Sequence, residues 1–141
     1  LGVGLKHSKN NKQKFLMSQL FLTIAAIFGG LSVAAGAFAT HSLRPQLSDR
    51  ALEIFETGAR YQMYHALALL AIALLIRQAE VPPITLTAAG YSFIAGVLIF
   101  SGSLYALSLT DIKWLGAIAP IGGVALIVGW ICLAIAVFNY R

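Results

Sequence analysis

Two histidines at the borders of long apolar runs are the residues best suited to chemistry in this chain of 141 residues. His41 closes one such run, and His65 lies at the opening of the next, with Glu56, Arg60, Tyr61 and Gln62 just before it. Ser101, Ser103 and Tyr105 fall in the final third of a later run. A pair of imidazoles can ligate a haem iron or a metal, and an imidazole with a phenol can hydrogen-bond a quinone. Bis-histidine haem needs the two rings to face each other across the macrocycle inside a bundle, whereas His41 stands at the very edge of its run. Capping helix ends, and tying a surface helix to the bundle, is the plainer role for such groups. His7 sits in a polar tail and carries no signal. The single cysteine, Cys132, has no partner for a disulfide or a metal site. The reading at this level is no catalytic residue, no metal and no cofactor.

The elements that must position these groups are set by composition. Hydrophobic residues make up 59% of the chain and charged residues 11%, against roughly 25% charged in soluble domains. Mean hydropathy is +0.82. Four apolar runs, at residues 20–39, about 61–76, 86–109 and 115–138, predict four transmembrane helices in an all-α bundle. The first run, at 1.5 Å per residue, reaches about 30 Å, the thickness of the hydrocarbon core. Its length also argues for a retained span over a cleaved signal. Pro82 and Pro83 stop the second helix, and Thr110 to Lys113 make a tight polar turn. Between the first two spans, Ser48 or Asp49 reads as an N-cap, followed by Ala51, Leu52, Phe55 and Ala59 at helical spacing. This predicts a short helix lying along the interface, or else an extension of the second span.

Antiparallel spans bring His41, the 56–65 group, the 101–105 group and Pro120 into one half of the bilayer, so a single polar cluster is expected there. Glu56 and Arg60 are four apart, as are Tyr61 and His65, which places each pair on a shared helix face. Glycines and small residues at four-residue spacing let helix backbones approach in lipid. Gly30, Gly36, Gly96, Gly102, Gly122, Gly123 and Gly129, with Pro120, are read as helix-packing positions. No Asp or Glu lies within any run, which disfavours proton-coupled export. No glycine-rich segment follows a strand, so phosphate binding of the P-loop kind is excluded.

Net charge is +5, and the excess comes from Lys6, Lys9, Lys12 and Lys14 in residues 1–16. This segment is read as a flexible, disordered basic tail ahead of a transmembrane domain at 17–141. Beside a bilayer such an arm meets anionic lipid headgroups, not nucleic acid. With four spans, the tail shares a side with Arg77 and Arg141, opposite Arg44, Arg50, Arg60 and Lys113, so the positive-inside rule puts both termini in the cytoplasm. Translation starting at Met17 would reverse that balance.

Several stretches, taken together, resemble a family of small membrane proteins of unknown function represented by bacterial YgdD and by small mitochondrial transmembrane proteins. This is the domain-of-unknown-function group numbered four hundred and twenty-three. The stretches are Gly36-Ala37-Phe38 to His41, Glu56-Thr57-Gly58 into Tyr61-Gln62 and His65, and Phe100 to Tyr105. Pro120-Ile121-Gly122-Gly123 and Gly129-Trp130 complete the set. Ala39 and Thr40 replace a glycine and an alanine of the family pattern. The resemblance implies a four-helix protein of bacterial inner, photosynthetic or organellar membranes, with no enzyme activity. The resulting reading is a non-enzymatic accessory or assembly subunit of a larger membrane complex. The alternative is a binder or carrier of a lipid-soluble molecule such as a quinone, through His41, His65, Tyr105 and Ser101. A channel ranks last, because the other half of each span offers almost no polar lining.

Overall fold

The computed structural model describes residues 2–140. Helix α1 runs Gly2–Phe38 and ends in one π-helical turn, Ala39–Leu43; α2 is Asp49–Gln78, α3 is Ile84–Thr110 and α4 is Leu115–Phe138. All four are long and apolar enough to cross a membrane. Each helix packs mainly on its chain neighbours, so α2 and α3 are central and α1 and α4 flank them. Lipid-facing helices need no polar outer face, and large apolar side chains accordingly stand exposed on α1 and α4, among them Leu31, Val33, Ile127 and Ile131.

One expectation is corrected. No separate interfacial helix lies between the first two spans: Asp49 to Gln78 is one unbroken helix of 30 residues, about 45 Å long. Ser48 caps it, its Oγ accepting from the Ala51 N–H at 3.2 Å. Nothing between Ala51 and Tyr61 breaks the backbone ladder, because the only glycine there, Gly58, is helical and buried. The amphipathic stretch therefore extends the span. In the basic segment, residues from Gly2 onward are helical and continuous with α1. A helix already nucleated in the membrane propagates at little further cost through Lys, Gln and Leu. Two contacts hold its base: Lys14 Nζ donates to the Ala79 carbonyl at 2.9 Å, and the Arg77 guanidinium lies 5.2 Å from the Phe15 ring centre.

The α3–α4 seam shows why glycine is required in two places. A Cβ on Gly122 would fall on the Phe100 backbone nitrogen and lie 2.8 Å from its Cα, and one on Gly129 would lie 2.6 Å from the Phe93 ring. Gly96 sits against Leu126 in the same seam, whereas Gly123 has only the Phe100 ring, at 3.8 Å. Gly30, Gly36 and Gly102 border open space within the chain. Pro120 is exposed in the second turn of α4, where its missing N–H leaves the Gly116 carbonyl without a helical donor.

Candidate functional site

Helix α2 carries the site. Gly58, Gln62, His65, Leu69, Ile72 and Ile76 are buried and recur every three or four residues, so they form one stripe. The upper half of that stripe is polar and the lower half apolar. Every other helix sends side chains to it. From α1, Ser32 Oγ donates to the Ala59 carbonyl, and Gln62 Nε2 donates in return to the Phe28 carbonyl at 2.9 Å. From α3, Ser101 Oγ donates to the Gly58 carbonyl at 2.8 Å, and the Tyr105 hydroxyl donates to Gln62 Oε1 at 2.8 Å. The Tyr105 ring can cross there because a Cβ on Gly58 would lie only 3.0 Å from it.

Helix α4 reaches the same stripe through Trp130, whose indole N–H donates to His65 Nε2 at 3.0 Å. An indole nitrogen only donates, so Nε2 must be the bare, accepting nitrogen. The proton then sits on Nδ1, which donates to the Tyr61 carbonyl at 2.7 Å. Both ring nitrogens of this neutral imidazole are engaged, and neither is free for iron or another metal while Trp130 stays in place. Among the described residues no group of three or more His, Cys, Asp or Glu side chains could hold a metal ion.

The structure thus joins Gln62, His65, Ser101 and Tyr105 on one helix face and leaves the other sequence candidates around them. His41 lies in the π-helical turn with an exposed ring. Glu56 meets the exposed Arg44 guanidinium at 4.0 Å, and Arg60 donates to Thr57 Oγ1 at 3.1 Å. Ser103 turns back to the Phe100 carbonyl of its own helix. The Tyr61 ring is partly exposed and packs on Phe100, centres 4.9 Å apart. Sequence reasoning missed Trp130 and Ser32 as members of the network. Trp130 appeared only beside a packing glycine, and Ser32 was not among the candidates. The signal available for Ser32 was its register with Phe21, Ala25 and Phe28, which recur every three or four residues on the buried face of α1 and place Ser32 four residues after Phe28.

Beside the network, Tyr61, Tyr64, His65, Phe100, Leu126 and Trp130 help line a cleft of about 490 Å³ between α2 and α4. Its walls are mostly apolar, and the bonded His65 and Trp130 rings meet edge-on in one of them, centres 5.9 Å apart.

Comparison with known proteins places this architecture. Residues 35–123 match the family model described as protein of unknown function (DUF423). Over 122 residues, 86% of this chain and 98% of each relative, the chain is 45% identical to a UPF0382 membrane protein of Staphylococcus aureus and 43% identical to the UPF0382 membrane protein YwdK of Bacillus subtilis. A UPF0382 membrane protein of Staphylococcus epidermidis is 42% identical over the same shares. No solved structure matches the chain. With well over half of its length inside the family model, and with relatives more than 40% identical over 86% of the chain, the chain belongs to the DUF423 family of membrane proteins of unknown function.

Proposed function

We propose that this protein acts without catalysis, as an accessory or assembly subunit of a larger membrane complex. One observation carries the reading: the polar side chains inside the bundle bond to one another or to backbone. Among the described residues, the only buried side-chain polar atom without a partner is Ser18 Oγ, which lies on α1 well below the network. A site built to act on a substrate leaves donors or acceptors aimed at empty space; here they fasten α1, α3 and α4 to α2. The outward faces supply what an assembly role needs. Ala26, Gly30 and Ala34 form an exposed stripe on α1, and small residues at this spacing let another helix approach closely. Native electrophoresis in mild detergent tests the proposal. Migration within a larger assembly is the expected result, and migration solely as a monomer or small homo-oligomer refutes it. We also place both termini in the cytoplasm, from the excess of Lys and Arg on their side.

A second reading has its own support. The aromatic cleft between α2 and α4 suits a flat lipid-soluble ring such as a quinone, which would stack on Tyr61 or Trp130. Extraction of the purified protein, followed by mass spectrometry of its lipids, would show such a ligand depleted in His65→Ala. Equal content in both proteins rules it out.

A further inference from the structure

A second groove, between α1 and α2, has both signs of charge at its rim. Ser32, Gly36, Thr40, Glu56, Arg60 and Met63 line it, and its volume is about 310 Å³. From Arg60 to Arg77 the helix rises about 25 Å, slightly less than the roughly 30 Å of hydrocarbon. Both guanidiniums therefore reach outward to the two headgroup layers. Glu56, one turn beyond Arg60, lies at that level too. Ionic side chains four apart on a helix stand about 5–6 Å apart at Cβ. One acidic and one basic side chain thus flank the same rim one turn apart, the charge pattern complementary to the ammonium and phosphate of a phosphoethanolamine.

We propose that this groove binds the headgroup of a phospholipid bearing a primary amine, with the phosphate on Arg60 and the ammonium on Glu56. Arg60 is exposed and is steadied by its bond to Thr57 Oγ1 at 3.1 Å, which leaves its other N–H groups for phosphate. Glu56 has one competing cation, Arg44. That contact is 4.0 Å long and its guanidinium side chain is 63% exposed, so carboxylate lone pairs stay open to the three N–H donors of an ammonium. A choline headgroup has no N–H to offer, and a glycerol headgroup has no cation, so Glu56 is the element that discriminates. The floor below is shaped for a chain: Gly36 has nothing within 4 Å of a built Cβ, and Met63 is an adaptable thioether. This site is separate from the assembly stripe and from the aromatic cleft, and it stands without either.

Native mass spectrometry of the delipidated full chain in detergent, titrated with ethanolamine, choline and glycerol phospholipids of matched chains, tests it. One exposed charge pair corresponds to about fivefold in occupancy, so the ethanolamine lipid is expected to bind about fivefold better than the choline lipid. Glu56→Gln should bring it down to the choline level with choline binding unchanged. Arg60→Gln should weaken both alike. Gly36→Leu, which fills open space, should weaken all three while the circular-dichroism melt falls no lower than that of the wild type. Equal binding of the ethanolamine and choline lipids overturns the proposal, as does a preference for the glycerol lipid or an ethanolamine preference that survives Glu56→Gln. A Gly36→Leu variant that loses a dimer in place of a lipid adduct overturns it as well, and marks the groove as an interface between copies.

Discussion

Adding one methyl group at two glycines should change stability in opposite directions. At Gly122 the new Cβ would overlap the Phe100 backbone, at its nitrogen and 2.8 Å from its Cα. Backbone cannot rotate away as a side chain can, so α3 and α4 must separate along a seam that also holds Gly96 against Leu126 and Gly129 against Phe93. Overpacking of this kind costs about 1–3 kcal/mol. At Gly30 the same methyl meets nothing within 4 Å, and alanine is about 0.8–1.0 kcal/mol better than glycine within a helix. The propensity gain is common to both sites, so Gly122→Ala is expected to be destabilised by up to about 2 kcal/mol and Gly30→Ala stabilised by about 1, a gap of about 1–3 kcal/mol between two chemically identical changes. Reversible unfolding in mixed micelles, followed by far-ultraviolet circular dichroism, reads the gap directly. Variants with equal midpoints, or a Gly30→Ala variant that is the less stable, would refute the packing of α3 on α4 described above.

Other consequences follow from the polar stripe and the charge distribution. Gln62→Leu orphans the Tyr105 hydroxyl, and Gln62→Leu with Tyr105→Phe removes both partners. A double-mutant cycle on that pair should give a coupling of about 0.6–1.7 kcal/mol, and a coupling of zero means the bond is absent. Nitrogen NMR of the protein in micelles should find His65 protonated on Nδ1 and bare on Nε2, with the indole proton of Trp130 shifted by the bond; the opposite tautomer contradicts the network. Arg44→Gln should leave thermal stability within about 1 kcal/mol of wild type, since the ion pair with Glu56 is exposed. An alkaline phosphatase fused after Arg141 should be inactive, and high activity reverses the orientation.

Of the candidate site, the sequence made the place legible but not the membership. Counting span directions gathers residues 56–65, 101–105 and the start of α4 into one half of the bundle. It cannot tell which side chains turn inward, because an apolar helix in lipid has no polar face to betray its rotation. Arg60 and Gln62 are two residues apart, yet one is exposed and the other buried. A regular stripe from Gly58 to Ile76 was there to be read, but residues 66–76 are apolar on every face of α2 and hide its lower half. His41 and His65 looked equivalent by type and position; packing left one exposed in a π-helical turn and locked the other between Tyr61 and Trp130.

What the amino-acid order determined by itself is the number of helices, their approximate limits and their solvent. Each follows from local quantities: run length against bilayer thickness, paired prolines, and charges confined to the links. What only tertiary structure decided is the continuity of α2 through its amphipathic first turns and the helical state of the basic arm. It also decided which glycines touch a neighbour. Gly36 and Gly122 lie in equally small-rich surroundings, yet one opens onto a groove and the other lies against the Phe100 backbone. That difference depends on where another helix passes, a distance between residues far apart in the chain that no local pattern encodes.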